Sequence, residues 1–240
     1  SDLFVETIEW KGESAIVCYF SGFTEGSTLN EQLELLRNRA EDGLSDWGET
    51  GASTVLPFSM STMVDAVCVG SVAVIFPKTN TLLKITISNV TVRSPDEPAN
   101  ETVIRGAHEG FVESNEKNIS LIRKHLAIPD LVVKDIRLGK VTNTKVSYVY
   151  IESIADKEVV EDVKYRLDNI NTPKIYSIGQ LEDYLEDSVW SPFPQFLNTE
   201  RPDRVVANLL AGKIVIFTDQ TPSALIAPVS FLSFFESPDD

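Results

Sequence analysis

The sequence predicts an α/β fold of two similar lobes with mixed sheets, and three observations predict it. Apolar periods of two and of three to four residues alternate along the chain, so strands and helices are interleaved. The order strand, helix, helix, strand, strand occurs twice. An offset of 131 residues carries Tyr19 onto Tyr150, Phe23 onto Ile154 and Leu36 onto Leu167. An offset of 141 carries Val64 onto Val205 and the VIF run at Val74–Phe76 onto VIF at Val215–Phe217. Between the copies stands RSPDEPAN, whose two prolines push the residues before them out of the helical region, the mark of an extended linker. The expected organisation is a first lobe at residues 1–88, a linker at 89–105 and a second lobe at 106–240.

In chain order, Ser14–Phe20 is a strand, rich in Ile, Val, Tyr and Phe and ended by Ser21 and Gly22. Thr28 can cap a helix whose Leu29, Leu33 and Leu36 lie three or four apart. Residues 42–57, DGLSDWGETGASTVLP, have no period and read as a loop. A short helix from about Ser61 to Val69 meets Gly70, and strands at Val72–Phe76 and Leu82–Ile87 make a hairpin across PKTNT. Gly106 and Gly110 flank a polar turn, after which Phe111, Val112, Ile119, Ile122 and Leu126 recur at helical spacing. Strands are predicted at Leu131–Leu138 and Lys145–Ile151. A helical stripe of Val160, Val163, Leu167 and Ile170 follows, with Asp156 placed to favour its free amides. Gly179–Glu186 is a short acidic helix. Pro202 falls in the first turn of the last helix and Gly212 at its end, before a strand pair at Lys213–Phe217 and Ser223–Ile226.

The net charge of −15 excludes several partners. Nonspecific binding to nucleic acid rests on Lys and Arg displacing counterions, so a chain this acidic is expected to bind neither nucleic acid nor an anionic membrane surface. Cys18 and Cys68 sit in apolar runs and read as small core residues, which suits a reducing compartment. No run of 18 apolar residues is present to span a bilayer.

Chemistry is sparse. No glycine-rich phosphate loop, nucleophile elbow or metal-ligand spacing is present, so neither cofactor, metal nor catalysis is expected. Of the two histidines, His125 suits a helix end as a cation, while His108 lies in the central turn where a ligand could meet it. Glu182, Asp183, Glu186 and Asp187 form an acidic group without a partner base or nucleophile, and read as a solvated helix face. In TERPDRV, at Thr199–Val205, the signs of Glu200, Arg201, Asp203 and Arg204 alternate around a helix start. Arg201 could offer its planar fork to a ligand carboxylate, or the four could pair locally around the cap. Two lobes imply a cleft, the usual place for a small ligand, with Arg105, Glu113 and Arg201 as polar groups that could face it.

Five motifs carry a family resemblance: RGAHEGFVES at Arg105–Ser114, LIR at Leu121–Arg123, SPFP at Ser191–Pro194, TERPDRV and the closing FFESPDD. Together, and in this order, they resemble the soluble N-terminal domain of the A subunit of spore germinant receptors, the GerA family. The match spans Thr102–Asp240 and is weak before Val92. The family pattern RGPREGF is departed from at Ala107 and His108, so a role of the family's arginine does not carry over to His108. The resemblance implies a membrane protein of the inner spore membrane that assembles with B and C subunits and answers nutrients such as amino acids, sugars or ions. It also implies two α/β lobes resembling substrate-binding proteins, and a membrane-spanning part beyond Asp240. Two roles follow from it: a sensing module that closes on a small polar nutrient, or an assembly domain that organises receptor subunits and binds nothing small.

Overall fold

The computed structural model describes residues 2–10, 12–23, 29–30, 33–34, 53–86, 109–186 and 195–228. The chain divides into two compact units, Ser1–Thr91 with Ala127–Pro129, and Val92–Leu126 with Asp130–Asp240. The expected linker at 89–105 lies outside the described residues.

The first unit holds strands β1 (Leu3–Trp10), β2 (Glu13–Phe20), β3 (Ser53–Pro57), β4 (Val72–Phe76) and β5 (Thr81–Ile85), with helix α1 (Met60–Cys68). A 3-10 turn at Ser21–Phe23 follows β2. The strands form one sheet in the order β1-β2-β4-β5-β3. Alternation along β4 feeds two cores: Val72, Val74 and Phe76 pack with Ile8, Trp10, Ala15 and Val17, together with the buried Leu29 and Leu33. Ala73 and Ile75 pack on the other face with Cys18, Phe20 and, from α1, Ala66, Val67 and Cys68. Both cysteines are thus core residues, and burial pushes the Cys18 thiol up. Ser59 caps α1 by accepting from the amide of Thr62, the bond that satisfies a free first-turn donor.

The second unit holds α2 (Asn115–His125), β6 (Leu131–Leu138), β7 (Thr144–Ile151), α3 (Lys157–Asn169), α4 (Ile178–Leu185), β8 (Leu197–Thr199), α5 (Pro202–Leu210), β9 (Ile214–Thr218) and β10 (Ala224–Ala227). Its sheet runs β6-β7-β9-β10-β8, the same plan as the first. On one face Val146, Tyr148, Ile214 and Ile216 pack with Val160, Val163 and Leu167 of α3 and Leu181 and Leu185 of α4. On the other face lie α2 and α5, which pack on each other and on β7 and β9. Burying a side chain of this size contributes about 1.5–3 kcal/mol, which is why β4 and β9, buried along their whole length, carry mostly Val, Ile and Phe.

Four expectations are revised. The sheets, expected to be mixed, are antiparallel at every strand pair among the described residues. Residues 53–57, read as part of a loop, form β3, an edge strand closed by Pro57, whose missing N–H is tolerated at an edge. The helix that follows Gly110 does not start at Phe111: residues 111–114 lead in as non-helical chain, and Ser114 is the cap of α2. Lastly, the overlay of VIF on VIF slips by one residue. Val17 pairs with Val74 and its counterpart Tyr148 pairs with Ile216, so Val74 corresponds to Ile216, not Val215. A strand buried on both faces has no polar alternation to pin its register in the sequence.

Candidate functional site

The segment Glu109–Ser114 is non-helical, and most of its residues bond to other parts of the unit. Glu109 holds the end of α2, with His125 Nε2 at 3.4 Å and Lys124 Nζ at 3.9 Å. The amide of Phe111 donates to the carbonyl of Glu200 at 3.0 Å, and its ring meets Phe217 edge-on with centroids 5.1 Å apart. Asn118, buried, clamps Val112 from both sides: the Val112 amide donates to Oδ1 at 2.9 Å, and Nδ2 donates to the Val112 carbonyl at 2.6 Å. Gln220 donates its amide to the carbonyl of Glu113 at 2.8 Å. The two motifs RGAHEGFVES and TERPDRV therefore meet, through the backbone of Phe111 and Glu200.

A polar relay runs inward from the start of α2. The Asn115 amide donates to Asp219 Oδ1 at 3.3 Å, and Nδ2 donates to the hydroxyl of buried Ser147 at 2.9 Å. Ser147 in turn donates to Asp135 Oδ1 at 2.6 Å, and Lys145 bridges Asp135 and Glu116 at 3.7 and 3.2 Å. Networks of this kind tie helix to sheet. Asn115 Oδ1 is buried without a partner in it.

At the second motif, buried Thr199 accepts from the amide of Arg201 at 3.2 Å, and Pro202 supplies the first helical residue of α5. Arg201 is 8% exposed. Its fork is closed on Asp203, Nε to Oδ1 at 3.2 Å and Nη2 to Oδ2 at 2.7 Å. The Arg201 hydrogen bonds hold the Asp203 carboxyl below the usual carboxylate range against the opposing effect of its burial. Of the candidate site residues, Arg201 and Asp203 are thus paired with each other. Glu200 contributes its carbonyl to Phe111, and Arg204 its carbonyl to the Asn208 amide at 2.7 Å. Glu113 has an exposed side chain and a bonded carbonyl. Arg105, His108 and the SPFP and FFESPDD motifs lie outside the described residues.

Among the described residues no group of three or more His, Cys, Asp or Glu is arranged to hold a metal. The acidic helix face is only partly solvated: burial, then Glu186 and Asp183, push the Glu182 carboxyl up. A groove of about 530 Å³ opens beside it, between α3 and α4, lined by Asp162, Tyr165, Arg166, Asn169 and Tyr184 among others. Arg166 is held there by Asp162 at 2.7 Å and by the carbonyl of Leu185 at 2.8 Å. The Tyr184 hydroxyl meets that of Thr172 at 3.0 Å. Tyr165 is 69% exposed and Tyr184 46%. The sequence offered one hint of this groove, a tyrosine on the polar side of the α3 stripe.

The model of the Bacillus/Clostridium GerA spore germination protein family matches residues 1–240. The chain is 36% identical to spore germination protein GerLA of Bacillus cereus over 254 aligned positions, covering 100% of the chain and 51% of that protein. It is 34% identical to spore germination protein A1 of Bacillus subtilis (strain 168), covering 92% of the chain and 47% of that protein. Against spore germination protein KA of the same strain it is 43% identical over 62% of the chain and 27% of that protein. The chain thus spans between about a quarter and a half of the length of the curated relatives it matches. Its fold matches the crystal structure of the N-terminal domain of the A subunit of the Bacillus megaterium spore germinant receptor GerK3, with a TM-score of 0.69 and 26% identity, covering 96% of this chain and 89% of that one. Among the described residues no helix is long and apolar enough to cross a membrane. Two of the family motifs, EGFVES and TERPDRV, meet in the structure, the family model matches the whole length, and the chain belongs to the GerA spore germination protein family.

Proposed function

We propose that this chain is the N-terminal domain of a germinant receptor A subunit and serves germination chiefly as an assembly domain. In this reading it organises the receptor, with B and C subunits as its partners at the inner membrane of the spore. One observation supports it above others: the fork of Arg201 is filled by Asp203 and withdrawn from solvent. A guanidinium already committed to a neighbouring carboxylate is not available to a ligand carboxylate without breaking that pair. The EGFVES segment is likewise committed, to α2, to the start of α5 and to the turn after β9.

A second reading keeps a small polar nutrient as ligand, and the α3–α4 groove is the observation that favours it. Its volume falls in the range of small-molecule sites, and it sets two exposed tyrosines beside amides and a fixed guanidinium. Thermal unfolding against amino acids, sugars and inorganic ions separates the readings. A ligand at 100 times its Kd adds about 2.7 kcal/mol, a rise of roughly 5–10 °C for a chain of this size. The assembly reading expects no such rise. A rise with one nutrient, abolished in Asn169→Ala but kept in Arg201→Ala, would replace it with a sensing role for the groove.

A further inference from the structure

The groove between α3 and α4 carries negative charge that its surroundings do not balance. Both helices end in it: Asn169 and Ile170 line it from the end of α3, and Leu185 and Glu186 from the end of α4. A helix C-terminus bears about half a negative charge and favours a cation. α4 does the opposite, with Glu182 and Asp183 in its last turn, Glu186 as its C-cap and no basic residue in that turn. Burial, then the carboxylates of Glu186 and Asp183, push the Glu182 carboxyl up, so the three acids stand close enough to repel one another. A helix end that keeps so unfavourable a set of charges breaks local consistency, and such breaks gather at functional sites.

Three cations of the neighbouring chain are engaged elsewhere and leave this charge standing. Arg166 is spent on Asp162 and on the Leu185 carbonyl, Lys164 lies 3.8 Å from Glu161, and Lys174 stands 5.2 Å over the ring of Tyr176. What the groove offers an incoming group is therefore acceptors and a π face. Glu186 supplies a carboxylate, and Asn169, whose Nδ2 donates to the carbonyl of Tyr165 at 2.7 Å, adds its Oδ1. The Tyr165 ring is largely exposed, and the Tyr184 ring is tethered at the wall through its hydroxyl to Thr172. Carboxylates beside open aromatic faces select ammonium and guanidinium groups and reject anions.

We infer that this groove is a docking surface for a basic segment of a protein partner, with a lysine or arginine side chain laid across Tyr165 and its charged head among Glu182 and Glu186. The inference rests on the assembly reading above and gives the partner its chemistry. Charge decides the class of occupant, and exposure decides its size. The groove is open to water, where a single ion pair shifts an equilibrium by at most about fivefold. One small cation is held weakly there. A segment sums several such contacts along the groove, and more than one positive charge is needed to quiet the acids at the end of α4. The net charge of −15 adds a field that draws a basic partner toward the chain.

The test is fluorescence anisotropy of a labelled peptide of alternating lysine and alanine, titrated with the 240-residue chain at fixed salt. Glu182→Gln combined with Glu186→Gln should weaken binding at least about fivefold. Tyr165→Ala, which removes no charge, should weaken it about two- to fivefold. Glu6→Gln combined with Glu9→Gln removes the same charge from β1 and should change binding by less than about twofold. Equal losses in the two double variants would reveal a general attraction to an acidic chain and overturn the inference. Displacement of the peptide by n-butylammonium at the peptide's own Kd would overturn it as well, because the occupant would then be a small cation. Replacing carboxylates that repel should not lower Tm, so a lost signal is not a lost fold. Co-purification of the other receptor subunits with the full-length protein separates the inference from the reading beneath it. Loss in the Glu182/Glu186 variant alone is expected. Retention in every variant would leave the assembly role standing and overturn the groove as its docking surface, whereas absence with the wild type would overturn both.

Discussion

Asp203 accepts both hydrogen bonds of the Arg201 fork while half of its own side chain stays in solvent. Because the folded chain holds its carboxyl below the ordinary range, the ionised form is the one that stabilises. That contribution is complete above the unfolded value, about pH 4, and is lost as pH falls through the depressed folded value. Asp203→Asn should therefore cost about 1 kcal/mol at neutral pH, the scale of a solvent-screened pair, and the gap to wild type should close in strong acid. Urea unfolding across pH measures it, and a gap that stays constant into strong acid would show that the pair contributes through packing alone. At this scale the sequence was partly legible. Alternating signs around a helix start admitted both a ligand fork and a local pair, and only the rotamer of Arg201 decides between them. Arg166 shows the opposite limit: its partners are a carboxylate one turn away and a backbone carbonyl on another helix, and no spacing announces the second.

Helices were more legible than edge strands. The cap Asp156 and the stop at Gly212 are local chemistry, read from neighbours in the chain, whereas the caps Ser114 and Ser177 came only with the structure. β1, β3 and β8 were missed because an edge strand has one partner and a short or half-exposed pattern, so its identity comes from the strand beside it. The turn between β6 and β7 shows how one residue type serves a whole element. Gly139 has φ +82, and a Cβ there would collide with the hydroxyl of Thr142. That hydroxyl accepts from the amide of Ile175, while Thr144 donates to the Ile175 carbonyl, so the turn is docked on the segment before α4. Gly139→Ala should cost about 1–3 kcal/mol and lower Tm by several degrees in a melting curve. An unchanged Tm would mean that the turn relaxes without losing its dock.

At the scale of the molecule, the duplicated plan was visible in the sequence, while its register was not. Tyr19 and Tyr150 aligned correctly because β2 and β7 are bordered by readable turns, whereas the all-apolar β4 and β9 slid past one another by a residue. The shared strand order also dictates a sequence of events in time. Hairpins β1–β2, β4–β5, β6–β7 and β9–β10 join neighbours in the chain, but β2 meets β4, and β7 meets β9, only after long intervening loops have closed. Pulsed hydrogen exchange during refolding should find amides within the hairpins protected before those at the β2–β4 and β7–β9 seams; simultaneous protection would refute this order. Each unit is then assembled like a zip closed from both ends, and its last teeth to engage are at the centre of the finished sheet.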